Sequence, residues 1–319
     1  MPHPISDHFD GLRFHNTDPA ARTRPLSEVW TWYRQRTPAP WPTWIENGAP
    51  HAVPPLPGAG IAVTWIGHST FLLRVAGITV LTDPVFALHA GPFGRIGPRR
   101  VRAPALALAA LPKVDLVLQS HNHYAHLDPV AHRRLADRDA PAIVTPLGNR
   151  DYLPSRARGR TIERDWWGSA EALPGVRVTV VPAQHFSART PWDRDKALWG
   201  GFVLEAGGRR VYFAGDSGYG AHFAEIGARF EGIDLGLIPI GAYEPRWFMG
   251  PVHIDPAQAV RAHLDVRARR SVAMHFGTFQ LTDEGIDAPG AELAAARAAA
   301  ALPAEAFHLP APGETIIVP

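Results

Sequence analysis

The stretch VDLVLQSHNHYAHLD, residues 114–128, is the most informative part of the chain for both fold and chemistry. Val114–Gln119 is a near-continuous apolar run, which is typical of a buried strand. His121, His123 and His126 follow it at once. In a tightly turning segment the first two project to the same side, and the third can return to the same pocket from the next turn. Because imidazole is a good ligand for divalent metals, the stretch predicts a metal site at a strand end.

Three further potential ligands occupy the same kind of position, just beyond an apolar strand. They are His185 after the predicted strand 176–182, Asp216 after 210–214 and His275 after 271–274. Taken singly, each is more often a hydrogen-bonded structural residue. Together with the first cluster, convergence on one site is the better explanation, and a chance or surface cluster of histidines is the alternative. Most of the remaining histidines lack this setting and are interpreted as surface or packing residues; examples are His3, His8, His89, His132, His222, His263 and His308.

Strands outnumber helices, and both recur along most of the chain. Helices are predicted over 129–136 and 256–264, with Asp128 and Asp255 as their N-caps. The other predicted elements are strands at 61–66, 70–75, 78–82, 142–145, 198–205, 235–240 and 315–318, and a helix at 291–301. This mixture predicts an α/β fold in which layered sheets are covered by helices.

The first part of the chain differs in composition from the rest. Residues 1–57 are rich in Pro and Trp and have too little periodic pattern to fold alone. We therefore predict an N-terminal arm that packs on a main body formed by residues 58–319, with a separate binding module as the alternative. The tryptophans of the arm also allow peripheral contact with a membrane, since Trp favours interfaces.

The composition narrows the functional classes. Lys and Arg exceed Asp and Glu by only two, 32 against 30, so no strong field attracts nucleic acid, and no basic-aromatic strip is visible. No cysteine is present, so a metal must be held by His, Asp or Glu. The absence of cysteine, of a run like that of a signal peptide and of about 18 consecutive apolar residues predicts a cytoplasmic protein without a transmembrane segment.

The order of these ligands resembles the signature of the metallo-β-lactamase superfamily, in which the first motif reads His-x-His-x-Asp-His. The flanking segments resemble more closely the branch that contains the N-acyl-phosphatidylethanolamine phospholipases D. These segments are SDHFDG (6–11), WIGHST (65–70), LTDPVF (81–86), PAQHF (182–186) and HIDP (253–256). The resemblance runs nearly from end to end, and it is more specific for the superfamily than for the substrate.

The resemblance implies a four-layer αββα sandwich with two mixed β-sheets and a centre for one or two ions of Zn, with Mn or Fe as alternatives. It implies that one ion is held by His121, His123 and His185, and a second by His126 and His275, with Asp216 bridging them. A hydroxide held by the metals would attack phosphorus or a carbonyl carbon, and the metals would stabilise the developing negative charge.

One position departs from the family motif. Ala125 stands where the motif has the Asp that would coordinate the second metal. Alanine supplies neither a ligand nor a negative charge, so we predict that the first position fills normally and the second is weakened or lost. The alanine is either an introduced substitution or a natural one in a protein that works with one metal or has lost activity. The intact state of every other ligand favours the former.

Four residues near the ligands are candidates for supporting roles. His68 is expected to approach the metal pocket or to bond a ligand, and Asp83 to orient a metal-ligating histidine. Tyr124 is expected to contact a substrate oxygen, and His253 to bind or protonate a leaving group. A structural role is the alternative for His68 and for His253. The apolar residues 247–249 before His253 are expected to pack in the core, with an acyl pocket as the alternative.

These expectations define the leading function and its competitors. The leading interpretation is a metal-dependent phosphodiesterase, similar to phospholipase D, acting on a small-molecule or lipid-like phosphodiester. The same centre could instead attack a carboxylic ester, lactone or amide. A protein that binds a metal or ligand without catalysis is the third interpretation, because of Ala125, and a nucleic-acid-processing enzyme is disfavoured by the charge balance.

Overall fold

The computed structural model describes residues 3–21, 24–48, 53, 58 and 60–319. Two seven-stranded β-sheets dominate this part. The strands are β1 (Ile61–Gly67), β2 (Thr70–Val75), β3 (Ile78–Thr82), β4 (Leu116–Leu118), β5 (Ala142–Pro146), β6 (Thr161–Arg164), β7 (Ser169–Leu173), β8 (Val176–Val181), β9 (Gly201–Ala206), β10 (Arg209–Phe213), β11 (Leu235–Pro239), β12 (Arg270–Met274), β13 (Phe307–His308) and β14 (Thr315–Val318). The α-helices are α1 (Leu26–Gln35), α2 (Pro129–Arg138), α3 (Ser155–Arg158), α4 (His222–Arg229), α5 (Arg246–Met249), α6 (Pro256–Asp265) and α7 (Ala288–Ala299).

Both sheets are mixed and follow the same pattern. The first has the order β14-β1-β2-β3-β4-β5-β6, and the second has the order β13-β12-β11-β10-β9-β8-β7. In the first, β1 to β3 pair antiparallel and β3 to β6 pair parallel. In the second, β8 to β10 pair antiparallel and β10 to β13 pair parallel. The strands β1, β3 and β4 therefore end at one edge of their sheet, and β8, β10 and β12 end at one edge of theirs.

Alternation of side chains along the strands sorts the core into layers. In β2, Phe71 and Leu73 join a cluster shared with the second sheet, whereas Leu72 joins a separate cluster with α2 and α3. Helices α4, α6 and α7 contribute to the core on the side of the second sheet, where α6 lies against β11. The predicted αββα arrangement is thereby confirmed.

The sequence predicts the first residues of two helices correctly, because N-capping depends on side chains that are close together in the chain. Asp128 accepts hydrogen bonds from Val130 N at 2.9 Å and Ala131 N at 3.2 Å, and Asp255 forms a capping box with Gln258. Both predicted N-caps are confirmed.

Other element boundaries were less accurate. The strand predicted at 198–205 begins only at Gly201, and the helix predicted at 291–301 spans Ala288–Ala299. Seven of the described elements were not predicted, namely α1, α3, α4, α5, β6, β7 and β13. Strand β6 carries only half-buried residues and so lacks a clear apolar pattern.

The described part of the N-terminal segment packs on the main body through specific contacts. Phe9 and Phe14 are buried in the main core. Asn16 Oδ1 accepts from the backbone N–H of His185 at 3.0 Å, and its Nδ2 donates to the His185 carbonyl at 2.9 Å. The ring of Trp32 in α1 stacks on Phe248 with 5.1 Å between centroids. The domain boundary predicted at residues 57 and 58 adjoins positions 54–57, which lie outside the described residues. Among the helices described, none has the length and apolar character needed to cross a bilayer.

Candidate metal centre

The strand ends bring six candidate ligands to one place between the two sheets. The first sheet supplies the loop after β4, and the second supplies the segments after β8, β10 and β12. The residues that meet there are His121, His123, His126, His185, Asp216 and His275. The structure therefore joins the positions that the sequence singled out, although the longest separation along the chain is more than 150 residues.

Three imidazoles form a first group. Nε2 of His121 lies 2.9 Å from Nδ1 of His123, and Nε2 of His185 lies 3.2 Å from the same atom. Oδ2 of Asp216 is 3.9 Å from Nε2 of His121 and 3.7 Å from Nε2 of His185. Since Nδ1 of His185 donates to the Val252 carbonyl at 3.0 Å, its Nε2 is left as an acceptor that points into the group.

Two further imidazoles form a second group on the other side of Asp216. Nε2 of His126 and Nε2 of His275 each lie 3.0 Å from Oδ2 of Asp216. This oxygen is thus the atom shared by both groups. The arrangement places Asp216 between them, as the resemblance implied for a bridging carboxylate.

Asp83 orients imidazoles of both groups without pointing at the shared oxygen. Its Oδ2 accepts from Nδ1 of His126 at 2.7 Å and from Oγ of Ser120 at 2.5 Å. Oγ of Ser120 in turn lies 2.9 Å from Nδ1 of His121. Protons held on these Nδ1 atoms leave Nε2 of both rings free as ligands. This position agrees with the orienting role expected for Asp83.

Burial and mutual charge govern protonation in the centre. Burial lowers the pKa of His121 well below its usual range and that of His185 to about 4. Burial also lowers the pKa of His126, but Asp216 and Asp83 outweigh it and raise the pKa to about 10. Burial raises the pKa of Asp216, yet the charge of His126 holds it well below its usual range. An ionised carboxylate among imidazoles is a donor set that suits a divalent ion, which displaces the remaining proton on binding.

One orphaned atom tests whether an ion fits. Oδ1 of Asp216 is buried, and no hydrogen-bond partner for it exists in the described part of the chain. A buried carboxylate oxygen without a partner is costly unless a cation or a donor satisfies it. The donor atoms are imidazole nitrogens and a carboxylate oxygen, a set that Zn, Mn and Fe accept. The residues present are therefore suited to bind a metal ion.

Comparisons with known proteins place the chain in a family. Residues 79–276 match the model of the β-lactamase superfamily domain. The chain belongs to the β-lactamase superfamily. Among its relatives is an uncharacterised protein of Mycobacterium tuberculosis, 40% identical over 80% of this chain and 68% of the relative. An N-acyl-phosphatidylethanolamine-hydrolyzing phospholipase D 1 of Caenorhabditis elegans is 39% identical over 70% of this chain and 65% of the relative.

A solved structure supports the fold. The metallo hydrolase Igni18 of Ignicoccus hospitalis superposes with a TM-score of 0.60 at 23% identity, covering 81% of this chain and 98% of its own. This likeness shows the metallo-β-lactamase fold. The chain is also 32% identical to a UPF0173 metal-dependent hydrolase of Opitutus terrae over 68% of this chain and 85% of the relative, so together with the family match it is a metal-dependent hydrolase.

A cavity of about 590 Å³ opens onto the centre of this superfamily member. Its floor includes His123, His126, Asp216 and His275. Its walls are largely apolar, and they include Val29, Trp32, Phe186, Phe248, Met249, Val252 and Leu281. Phe248 and Met249 line the cavity, as the alternative for 247–249 held. Phe248 is also buried, as core packing requires, whereas Trp247 is exposed and the core packing expected for it is wrong. Two guanidinium groups, of Arg24 and Arg194, also line the cavity. Arg24 pairs with Glu28 at 2.8 Å, and Arg194 lies 3.9 Å from Asp195.

The predicted catalytic candidates Tyr124 and His253 both line this cavity. The phenol O–H of Tyr124 donates to the Arg189 carbonyl at 3.1 Å, and the guanidinium of Arg189 covers its ring. His253 lies beside His185, with ring centroids 5.0 Å apart, and burial keeps its pKa well below the usual value. Burial thus favours the neutral form of His253, which can hydrogen-bond to a substrate oxygen.

Several supporting residues were not predicted from the sequence. Nη1 of Arg189 donates to the carbonyls of Asn122 and Leu127, at 2.8 and 2.9 Å, and so holds the loop that carries the first histidines. Gln119 donates to Asp83 at 3.1 Å and accepts from His132 at 2.7 Å. Only the position of Gln119, between the strand and the histidines, was a signal for its role; Arg189 is distant in sequence and offered none.

Proposed function

We propose that the chain is a metal-dependent phosphodiesterase that cleaves a lipid-like phosphodiester, in the manner of a phospholipase D. The observation that carries this proposal is the cavity, because it joins the histidine and aspartate cluster to apolar walls and to two arginines. An anionic phosphodiester matches the arginines and the centre, whereas an attached apolar chain matches Trp32, Phe248 and their neighbours. The name of the Caenorhabditis elegans relative supports the same class of substrate.

The candidate site residues would have distinct roles in metal binding, substrate binding and catalysis. His121, His123 and His185 would hold one ion, and His126 and His275 the other, with Asp216 shared. Bound divalent ions would activate water and stabilise the negative charge of the transition state. Arg194 would help to bind the anionic phosphate. His253 would hydrogen-bond to the reacting groups at the cavity floor. Tyr124 would contact the substrate through its ring edge, because its hydroxyl is already engaged.

A substrate panel in ¹⁸O-labelled water tests the proposal. The purified protein, loaded with Zn, Mn or Fe, is given a long-chain N-acylated phosphatidylethanolamine, a soluble aryl phosphodiester and an aryl carboxylic ester. We expect phosphodiester cleavage in which the label enters the phosphatidic acid, since water oxygen bonds to phosphorus and the headgroup alcohol leaves. Chelator-treated protein and Asp216→Asn are the inactive controls.

Ala125 requires a second arm of the same experiment. Ala125→Asp is assayed beside the unaltered chain, and we expect it to raise turnover if the missing carboxylate limits activity. Turnover of carboxylic esters alone would favour the ester, lactone or amide hydrolase. Failure of both proteins on every substrate would favour a binding protein without catalysis.

We also propose peripheral contact with a membrane at the cavity mouth. Trp192 and Trp247 are 76% and 46% exposed and adjoin the lining residues Pro191 and Phe248. Exposed tryptophans beside an apolar cavity suit a lipid interface. Vesicle sedimentation of Trp192→Ser should show weaker binding than Ile317→Ser, an exposed apolar control on β14; equal binding would count against this contact. A cytoplasmic location and the absence of a nucleic-acid partner stay predictions from composition.

A further inference from the structure

The two ligand groups are unequal, and position 125 is the reason. Among the ligands that the family motif supplies, the first group has three imidazoles beside Asp216, whereas the second has two, those of His126 and His275. The side chain of Ala125 is buried in a small apolar cluster with Val85 and Phe279. No oxygen or nitrogen at position 125 can complete the second group.

His68 lies where a further ligand for the second group is needed. Its ring centroid is 4.0 Å from that of His275 and 5.2 Å from that of His126. One nitrogen from each of the three rings lies within 4.8 Å of the other two. The ring centroid of His68 is also 5.3 Å from that of Phe279, and Phe279 packs with Ala125. His68 therefore borders the space that a carboxylate at position 125 would occupy.

Both ring nitrogens of His68 lack a hydrogen-bond partner within the ranges that the structure describes. The residue is only 2% exposed, so water does not readily satisfy them. Leaving buried polar atoms unpaired destabilises the folded state. Since an imidazole without any partner is rare in a folded core, these atoms point to a ligand that binds there.

The backbone holds His68 in a conformation that side-chain-bearing residues seldom adopt. Its φ of 53° lies in the left-handed region. Oγ1 of Thr278 accepts from its N–H at 2.8 Å, while its carbonyl accepts from His275 N at 3.1 Å and from Trp65 Nε1 at 2.9 Å. These bonds fix the turn after β1 and tie it directly to His275. Strain maintained in this way is typical of functional positions.

The topology gives His68 a counterpart among the candidate ligands. β1 lies two strands from β3 in the antiparallel part of the first sheet, just as β8 lies two strands from β10 in that of the second. His68 follows β1, and His185 follows β8. Asp83 follows β3 and Asp216 follows β10 in the same way. His68 is therefore placed beside the second group as His185 is placed in the first.

We propose that His68 is the third imidazole ligand of the second metal ion and replaces the carboxylate that the family motif has at position 125. The inference rests on the metal dependence of the proposed function and not on its substrate. Each ion would then have three imidazoles and share Asp216. The centre would carry one negative charge fewer than one with a carboxylate at 125, and its nitrogen-rich donor set would favour Zn or Co over Mn.

Metal stoichiometry tests the proposal without reference to activity. His68→Asn is the variant, because Asn tolerates the left-handed backbone. His263→Asn is the matched control, since His263 is also a buried imidazole, bonded to Ser271 Oγ at 2.8 Å near the opposite end of β12 from His275. Bound Zn is counted by elemental analysis, and affinity is measured by chelator competition. Circular dichroism verifies that each variant folds.

We expect about two ions per chain in the unaltered protein and in His263→Asn. In His68→Asn we expect the second ion to bind at least roughly tenfold more weakly, since even loss of an outer partner costs 10–100-fold. Adding Ala125→Asp to His68→Asn should restore the affinity for the second ion. Unchanged stoichiometry and affinity in His68→Asn would overturn the proposal.

A measurement on the unaltered chain covers the case in which His68→Asn does not fold. In the Co(II)-loaded protein with ¹⁵N-labelled histidine, we expect hyperfine-shifted signals from six ligand imidazoles, those of His68, His121, His123, His126, His185 and His275. Five signals, with His68 unshifted, would overturn the proposal while leaving metal dependence intact. Absence of bound Zn, Co and Mn altogether would instead contradict the proposed function.

Discussion

A single buried carboxylate, Asp83, couples the two ligand groups at the scale of the residue. It bonds His126 directly and reaches His121 through Ser120. The carboxylate is fully buried, and it also accepts from the Ser120 N–H at 2.7 Å. Asp83 thereby determines which ring nitrogen of His126 and His121 carries the proton, and hence which nitrogen is free to bind a metal.

Asp83→Asn is expected to weaken metal binding in both groups. The amide retains the volume but loses the acceptor that holds the Nδ1 protons, so affinity should fall by about 10–100-fold. Chelator competition with Zn measures this. Asp115→Asn is the control, because Asp115 accepts from Thr79 N at 3.0 Å before β4 and away from the strand ends. Equal affinities in the two variants would contradict the orienting role.

His8 provides a pH-dependent contact between the N-terminal arm and the main body. Its Nε2 lies 2.7 Å from Oδ1 of Asp165, and its Nδ1 lies 2.6 Å from Oδ1 of Asp7. Burial lowers the pKa of His8, but the bonds to Asp165 and Asp7 outweigh it, so the pKa is raised above 6.5. The pKa of Asp165 is lowered: burial opposes this, and the bond from His8 outweighs it.

The signs of these shifts define a pH window. A raised histidine pKa stabilises the fold fully below 6.5, and this stabilisation is lost as the pH rises through the folded pKa. A lowered aspartate pKa stabilises the fold fully above pH 3.8, and this stabilisation is lost as the pH falls through the pKa of the folded state. We expect His8→Gln to cost about 1 kcal/mol near pH 5.5 and less at pH 9. Thermal melts at both values measure this, and a pH-independent difference would refute it.

At the scale of the element, the short strands and the helix of the arm were the hardest parts to predict. β6 and α1 have no clear stripe of buried residues, because each packs on only part of its surface. Helix α1 nevertheless supplies Val29 and Trp32 to the cavity wall. Its role depends on where the helix rests on the main body, and its own sequence does not encode that contact.

Trp32→Ala is expected to impair lipid binding more than chemistry. Loss of the ring that stacks on Phe248 removes apolar wall, so KM for a long-chain phosphodiester should rise about tenfold, since burial of a large apolar side chain is worth about 1.5–3 kcal/mol. KM for a soluble aryl phosphodiester should change little. Trp30→Ala is the matched control on the same helix, where Trp30 is 62% exposed. Equal effects of the two variants on KM would show that Trp32 of the arm does not contribute to lipid binding in the cavity.

At the scale of the whole molecule, the centre links the two sheets. Its candidate ligands come from the edge of each sheet, so a bound ion would join elements that otherwise meet through the core and the loops. Metal binding and global stability should therefore be coupled.

Removal of metal is expected to lower the melting temperature. A ligand present at about 1,000 times its Kd stabilises the folded state by about 4 kcal/mol. Calorimetric melts before and after chelation, and after restoring Zn, measure the shift; adding Ca²⁺, which prefers oxygen ligands, is the control. Superimposable melts of the loaded and chelated protein would show that no ion supports the fold.

Local features of the sequence determined the family, the layered α/β class and the identities of the candidate ligands. Apolar runs mark the strands, capping aspartates mark two helices, and ligand residues stand directly after strands. These signals extend over a few residues, so they can be read without knowing how the chain packs.

Only the tertiary structure decided that one oxygen of Asp216 lies between the two ligand groups, that both nitrogens of His68 lack a partner among the described residues beside Ala125, and that α1 and Phe248 line the cavity. Each of these depends on strands from two sheets, or on an arm and a body, whose partners are far apart along the chain. Sheet order, register and docking are products of global packing, because long-range burial and pairing, and not local propensity, select them.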